Sequence, residues 1–256
     1  MIHGGIDGFS RLIVFLQASD NNRQDTVLQQ FIAATAQYGI PSRIRVDDGG
    51  ENNAICALMQ LLRGSDHNAA IRGASVHNQR IERFWRDMWN GATNVFYNLF
   101  YYLEHSNYLD SDNEQHMWAL HYVFLPRINA ALCKFMQQWN NHGLRTEHNK
   151  TPLQLFVEQA LHLCNSSLTA VQDLFTTASA NTNDAVDDSV SSVVDESRSL
   201  VAIPAVTCPL SAEQLLVLKD IVDPMDNTAD ELGVTQYLKT LACLAELSTS
   251  IVQNPR

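Results

Sequence analysis

Long apolar runs are missing from this chain. No stretch approaches 18 uncharged apolar residues, so no membrane span is expected. The opening MIHGGIDGFSRLIVFLQ has no basic region and no small-residue cleavage site, which argues against a secretory signal peptide. Cysteine is scarce: Cys56, Cys133, Cys164, Cys208 and Cys243 are scattered, odd in number and without CxxC spacing. That pattern gives no disulfide framework and suits reduced thiols in an intracellular protein, nuclear or cytoplasmic and not secreted. His116 and His121 fall off a common helical face, and no second pair joins them to make a zinc site. No nucleophile elbow marks a Ser-His-Asp hydrolase, and Cys164 near His162 is no thiol-protease signal. Gly49-Gly50 lack the Lys-Ser/Thr of a phosphate loop, which leaves a structural turn, with close approach of backbone to substrate as its functional reading.

Basic residues are also few, 17 Lys and Arg against 28 Asp and Glu, for a net charge of -11. Spread evenly, that balance would argue against a nucleic-acid partner, but it is not even. Residues 1–165 hold 13 basic and 15 acidic residues and all nine histidines, whereas residues 166–256 hold 4 and 13. The acidity therefore sits mainly in the tail, and the front part, with Arg80, Arg83 and Arg86, can still meet a phosphate backbone.

What is present reads as strands and helices in a definite order. MIHGGID is a strand, GFS a turn, and RLIVFLQ (11–17) a second strand rich in branched and aromatic residues. SDNN offers caps for a helix over about 22–38, with Val27, Leu28, Phe31, Ile32 and Ala36 expected inward. RIRV (43–46) is a strand, ENNAICALMQLLRG a helix closed by Gly64, and AAIRG (69–73) a short strand. From His77 the chain turns helical, with one long helix or two in succession. A further helix is expected to break or kink near Pro126, and another starts at Thr151-Pro152. Residues 165–200 read as an acidic disordered linker and 201–256 as a small helical segment starting near Ser211, too short for a large core alone.

Asp47 and Asp48 close the RIRV strand, and Glu82 sits early in the helix that begins near His77. A carboxylate at a strand end and another on a facing helix can hold divalent cations for phosphoryl chemistry. The same residues also fit a turn and a solvated helix face. Asp48, Glu51 and Asn52 read as exposed or helix-capping groups. Trp85 and Trp89, four apart, suit core packing better than base stacking.

Three ordered stretches carry a resemblance. YGIPSRIRVDDGGEN, then GASVHNQRIERFWRDM, then WNNHGLRTEHNKTPLQLF resemble the integrase core of retroviral-type and transposase DDE enzymes. They are most similar to the transposon-derived, stand-alone integrase core domain proteins of animal genomes, over about residues 2–160. The resemblance implies a ribonuclease H-like α/β fold and Mg²⁺-dependent cleavage and transfer of DNA strands. It maps two catalytic, metal-binding carboxylates onto Asp47 and Glu82. It places His77, Asn78, Gln79, Arg80 and Arg83 near DNA, within a contact region of residues 77–90. Capping and solvation are the alternative for these polar groups, and pairing with acids such as Asp87 is the alternative for Arg83 and Arg86. IDGFSR matches a turn in which Asp7 and Ser10 are structural.

The family's first catalytic Asp lies on a first strand ahead of that turn, and nothing here matches it. The expected architecture is thus a ribonuclease H-like integrase core lacking its first, central strand, followed by an all-helical extension, together spanning residues 1–160. Two functions follow as expectations. One is a degenerate or truncated DDE-type domain, ancestrally an Mg²⁺-dependent polynucleotidyl transferase and inactive as encoded. The other is a non-enzymatic module that binds nucleic acid, or a protein through the acidic tail. Homo-oligomerisation is compatible with either.

Overall fold

The computed structural model describes residues 1–64, 68–73, 79–163 and 206–252. Strand β1 (Ile2–Ile6) pairs antiparallel with β2 (Ile13–Ala18). The turn between them is built by Asp7. Its Oδ2 accepts from the Phe9 amide at 3.1 Å, the Ser10 amide at 2.7 Å and the Ser10 hydroxyl at 2.8 Å. Ser10 is wholly buried, and its Oγ accepts in turn from the Leu12 amide at 3.2 Å. This Asx-type arrangement lets one carboxylate satisfy several turn donors and sets the hairpin.

Helix α1 (Gln24–Tyr38) follows, its entry held by Asn21, whose Oδ1 accepts from the Arg23 amide and the Thr26 hydroxyl. It buries Val27, Gln30, Phe31 and Ala34, while Ile32 and Ala36 face solvent. The inward stripe is therefore shifted by one row from the expected one. That face, packed against β2 and the next helix, also buries Gln30. Strand β3 (Ile44–Val46) pairs in parallel with β4 (Ala70–Arg72). Between them lie a 3₁₀ turn, Gly50–Asn52, and helix α2 (Asn53–Arg63), which ends at Gly64 with φ of 80°.

Helix α3 (Gln79–Met88) runs through a π turn (Trp89–Thr93) directly into α4 (Asn94–His105). Helix α5 (Glu114–Asn141) is one 28-residue element that continues through Pro126, where a break or kink was expected. Proline there removes a helical hydrogen bond and crowds the preceding turn. Burial on both sides offsets that loss: α5 supplies Leu120, Val123 and Phe124 to one core cluster and Leu132 and Phe135 to another. Helix α6 (Pro152–Leu163) starts as the sequence predicts, with Thr151 Oγ1 accepting from the Gln154 amide at 3.1 Å. Helix α7 (Ala212–Ile221) opens with a Ser211–Gln214 capping box, and α8 (Val234–Val252) closes the described chain.

Three apolar clusters organise these elements. The hairpin, α3 and α5 share one around Ile13, Phe84 and Phe135. α1, α2 and the β4 entry share a second around Phe31, Met59 and Ala69. α4, α5 and α8 share the third around Leu103, Phe124 and Tyr237. The C-terminal segment thus finds in α4 and α5 the apolar partner it is too short to supply itself. The acidic stretch 165–200 lies outside the described residues.

The sheet is in two pieces among the described residues, β1-β2 and β3-β4. The outer edge of β2 is closed by asparagines of α5. Asn140 accepts from the Ile13 amide at 2.9 Å and donates to its carbonyl at 3.1 Å. Asn129 does the same for Ala18, at 2.8 and 3.1 Å. Each side-chain amide replaces the two backbone bonds a neighbouring strand would make. Among the described residues no ladder partner sits on the other edge of β1, or on the edge of β3 away from β4.

Candidate metal and nucleic-acid site

Asp47 lies immediately beyond β3, with its side chain exposed. Its Oδ1 accepts from Asn52 Nδ2 at 2.6 Å, which ties the strand end to the 3₁₀ turn below it. Asp48 is exposed beside it. Gly49 is extended, with φ of -67°, so no special backbone conformation requires glycine. A side chain there would instead meet the Glu51 carboxylate, whose Cδ would lie 2.6 Å from the added Cβ. Gly50 opens the 3₁₀ turn. Around this strand end Arg72 donates to Asn53 Oδ1 at 2.7 Å, and Asn22 donates to Glu51 Oε2 at 3.5 Å. Asn53 and Arg72 were not singled out by sequence, and Asn22 and Asn52 were read only as capping or exposed groups. Amide and guanidinium side chains are common on surfaces, and it is the parallel pairing of β3 with β4 that brings Arg72 to Asn53.

His3 on β1 is buried, with Nε2 at 3.4 Å from the Asn21 carbonyl oxygen. Burial pushes its imidazole below the usual histidine range. The Asn21 contact and the Glu51 charge oppose that shift, and the N-terminal ammonium reinforces it.

Glu82 is in the first turn of α3 and exposed, as are Gln79, Arg80, Arg83 and Arg86. Among the described residues no carboxylate pairs with Arg80, Arg83 or Arg86, so the expected alternative of same-helix ion pairs is not formed. His77 and Asn78 lie outside the described residues. No hydrogen bond or ion pair joins Asp47 to Glu82, and no group of three metal-ligating side chains is assembled among the described residues. The aromatic expectation divides in two. Trp85 packs half-buried against the cluster around Phe84, whereas Trp89 is 42% exposed and meets the Tyr97 ring edge-on at 5.1 Å.

Two small sheets, one antiparallel and one parallel, with an acid at the parallel strand end and long helices after it, are consistent with a ribonuclease H-like core bearing a helical extension. The family model for the integrase core domain matches residues 1–170, and the chain belongs to that family. Comparison with curated proteins and with solved structures gave no match in either case. No helix among the described residues is long and apolar enough to cross a membrane.

Proposed function

We propose that the chain is a degenerate or truncated DDE-type integrase or transposase domain that keeps a nucleic-acid-binding face and whose described residues supply two of the three carboxylates such catalysis needs. The observation that carries this reading is the donor set. Asp47 and Glu82 are exposed carboxylates on elements of an integrase core, and no third ligand joins them among the described residues. Hard oxygen ligands of this kind suit Mg²⁺, which in such domains activates the attacking oxygen and stabilises the leaving one. Two carboxylates do not make a complete site, so no catalytic step is assigned to them. The bare edges of β1 and β3 support a further strand between them, acid-bearing in the ancestral domain. In this reading residues 1–160 form the core with its helical extension, 165–200 an acidic linker and 201–256 a small C-terminal segment whose described helix α8 packs on α4 and α5.

The test is incubation of the purified chain with DNA and Mg²⁺ or Mn²⁺. The expected result is neither cleavage nor strand transfer, with Asp47→Asn and Glu82→Gln indistinguishable from the parent, alongside salt-dependent DNA binding that Arg83→Ala weakens. A metal-dependent product abolished by both carboxylate variants would instead make the domain an active transferase. Detection in its source cells of a longer product, with an acid-bearing strand ahead of Met1, would explain the bare edges and restore the ligand set.

The uneven charge favours a second reading, a non-enzymatic interaction module whose acidic tail contacts a protein. The two readings differ in sign. Replacing residues 165–200 with a neutral linker of equal length strengthens DNA binding in the first, by removing like charge, and abolishes protein capture in the second.

A further inference from the structure

The solvent face of the α3–α4 run changes character along its length. Glu82, Arg83 and Arg86 project from α3, and exposed rings follow on α4, with Tyr97 57% and Tyr101 65% accessible. The π turn aligns the two halves. In an uninterrupted α-helix, residues eight apart differ by about 80° in direction. The wider π turn absorbs about one extra residue, and this brings Trp89 and Tyr97 to one side, edge to face. Beyond them Tyr101 lies parallel to His105, with ring centroids 6.4 Å apart and planes 3° from coplanar. The opposite side of α4, through Leu99 and Leu103, is buried in the cluster with α8. The rings therefore stay outside the folded core.

We propose that this face is a stacking platform for single-stranded nucleic acid, with Arg83 and Arg86 holding the backbone and Trp89, Tyr97 and Tyr101 receiving unpaired bases. The inference rests on the nucleic-acid reading above and narrows its substrate class. Duplex DNA keeps its base faces inside the stack, so exposed rings of this kind gain nothing from it, whereas every unpaired base presents a face to stack. Guanidinium groups without carboxylate partners among the described residues supply the charge a phosphate chain needs, Arg86 three residues before Trp89 and Arg83 three residues earlier on the exposed surface of α3. From Glu82 to Tyr101 the helix runs roughly 28 Å, a length suited to a short strand. A strand laid along it would pass Glu82, the candidate metal ligand.

The test is fluorescence anisotropy of the full chain across a salt series, with an oligothymidylate of about twelve nucleotides and a duplex of equal length. The expected result is tighter binding of the single strand. Joint Tyr97→Ala and Tyr101→Ala substitution weakens it roughly tenfold or more and leaves the salt slope unchanged, while Tyr97→Phe with Tyr101→Phe retains affinity. Arg83→Ala with Arg86→Ala weakens single strand and duplex alike and flattens the salt slope. Single-strand affinity unchanged in the alanine ring variant but reduced in the arginine variant would overturn the platform and leave the nucleic-acid reading standing. Failure of the parent to bind either probe would overturn both. A concentration-dependent dimer dispersed by the ring substitutions, with single-strand binding intact, would assign the face to a second copy and overturn the proposal.

Discussion

Single side chains decide how the C-terminal segment is held. Arg127 is buried on α5 and donates only to neutral oxygens. These are Pro224 O at 2.7 Å, Asn227 Oδ1 at 2.7 Å, Asp226 O at 2.6 Å and Glu231 O at 3.1 Å. A planar fork reaches these oxygens together where a lysine ammonium would not. Arg127→Met is expected to lower unfolding stability by about 2–4 kcal/mol in urea titration, with Arg127→Lys recovering little of it. The same loop holds Asp230, which receives the backbone N–H groups of Gly233, Val234 and Thr235 at the start of α8. Burial raises its pKa, but these bonds and one from the Thr235 side chain outweigh that and bring it down to about 2. A depressed carboxyl contributes stability that is present above its unfolded value near 4 and lost as pH falls towards 2. Asp230→Asn is therefore expected to flatten the urea midpoint against pH across that window.

At the scale of elements, α5 organises both the hairpin and the π turn. Gly91, in the π turn, faces Phe135, and an added Cβ would lie 2.9 and 3.0 Å from two ring carbons. Phe84 and Trp139 back that ring at centroid distances of 6.1 and 5.9 Å, so it has little room to yield. Gly91→Ala is expected to destabilise by about 1–3 kcal/mol through overpacking, read as a lower denaturation midpoint at constant m value. Asn140 tests the closure of the β2 edge from the other side. Asn140→Ala leaves the Ile13 amide and carbonyl without partners in a buried setting and is expected to cost about 2–4 kcal/mol. Faster amide exchange at Ile13 would locate the damage.

For the molecule as a whole, the C-terminal helices complete a core. Tyr237 and Leu244 of α8 are buried against Leu103, Val123 and Phe124, and the Tyr237 hydroxyl donates to the Tyr108 carbonyl at 3.1 Å. Tyr122 on α5 likewise donates to the Val222 carbonyl at 2.9 Å. Truncation after residue 205 uncovers that cluster. The expected outcome is a chain that binds a hydrophobic dye and unfolds at lower denaturant, while the hairpin cluster around Ile13 keeps its exchange protection.

Much of this was legible in the residues themselves, because local chemistry dictates it. Asp7 and Ser10 give the turn, Thr151-Pro152 and Ser211 with Gln214 give helix starts, and a run of branched and aromatic residues gives β2. The acids Asp47 and Glu82 were visible as a strand-end and a helix carboxylate for the same reason. Periodicity left the inward row of α1 open to one-residue error, since Ile32 and Ala34 are both apolar and only the packing of α1 chose Ala34. Pro126 reads as a break or kink because its cost is local; the helix is not broken there, and the burial that offsets the cost comes from distant elements. The pairing of Asn140 with Ile13, the clasp of Arg127 on residues 224–231 and the alignment of Trp89 with Tyr97 join residues by tertiary contact or by a helical irregularity. Sequence by itself determined which segments are strands and helices and where carboxylates end them, since these follow from neighbouring residues. Only the tertiary structure decided which polar groups find partners and which rings stay in water, because burial depends on what the rest of the chain brings alongside.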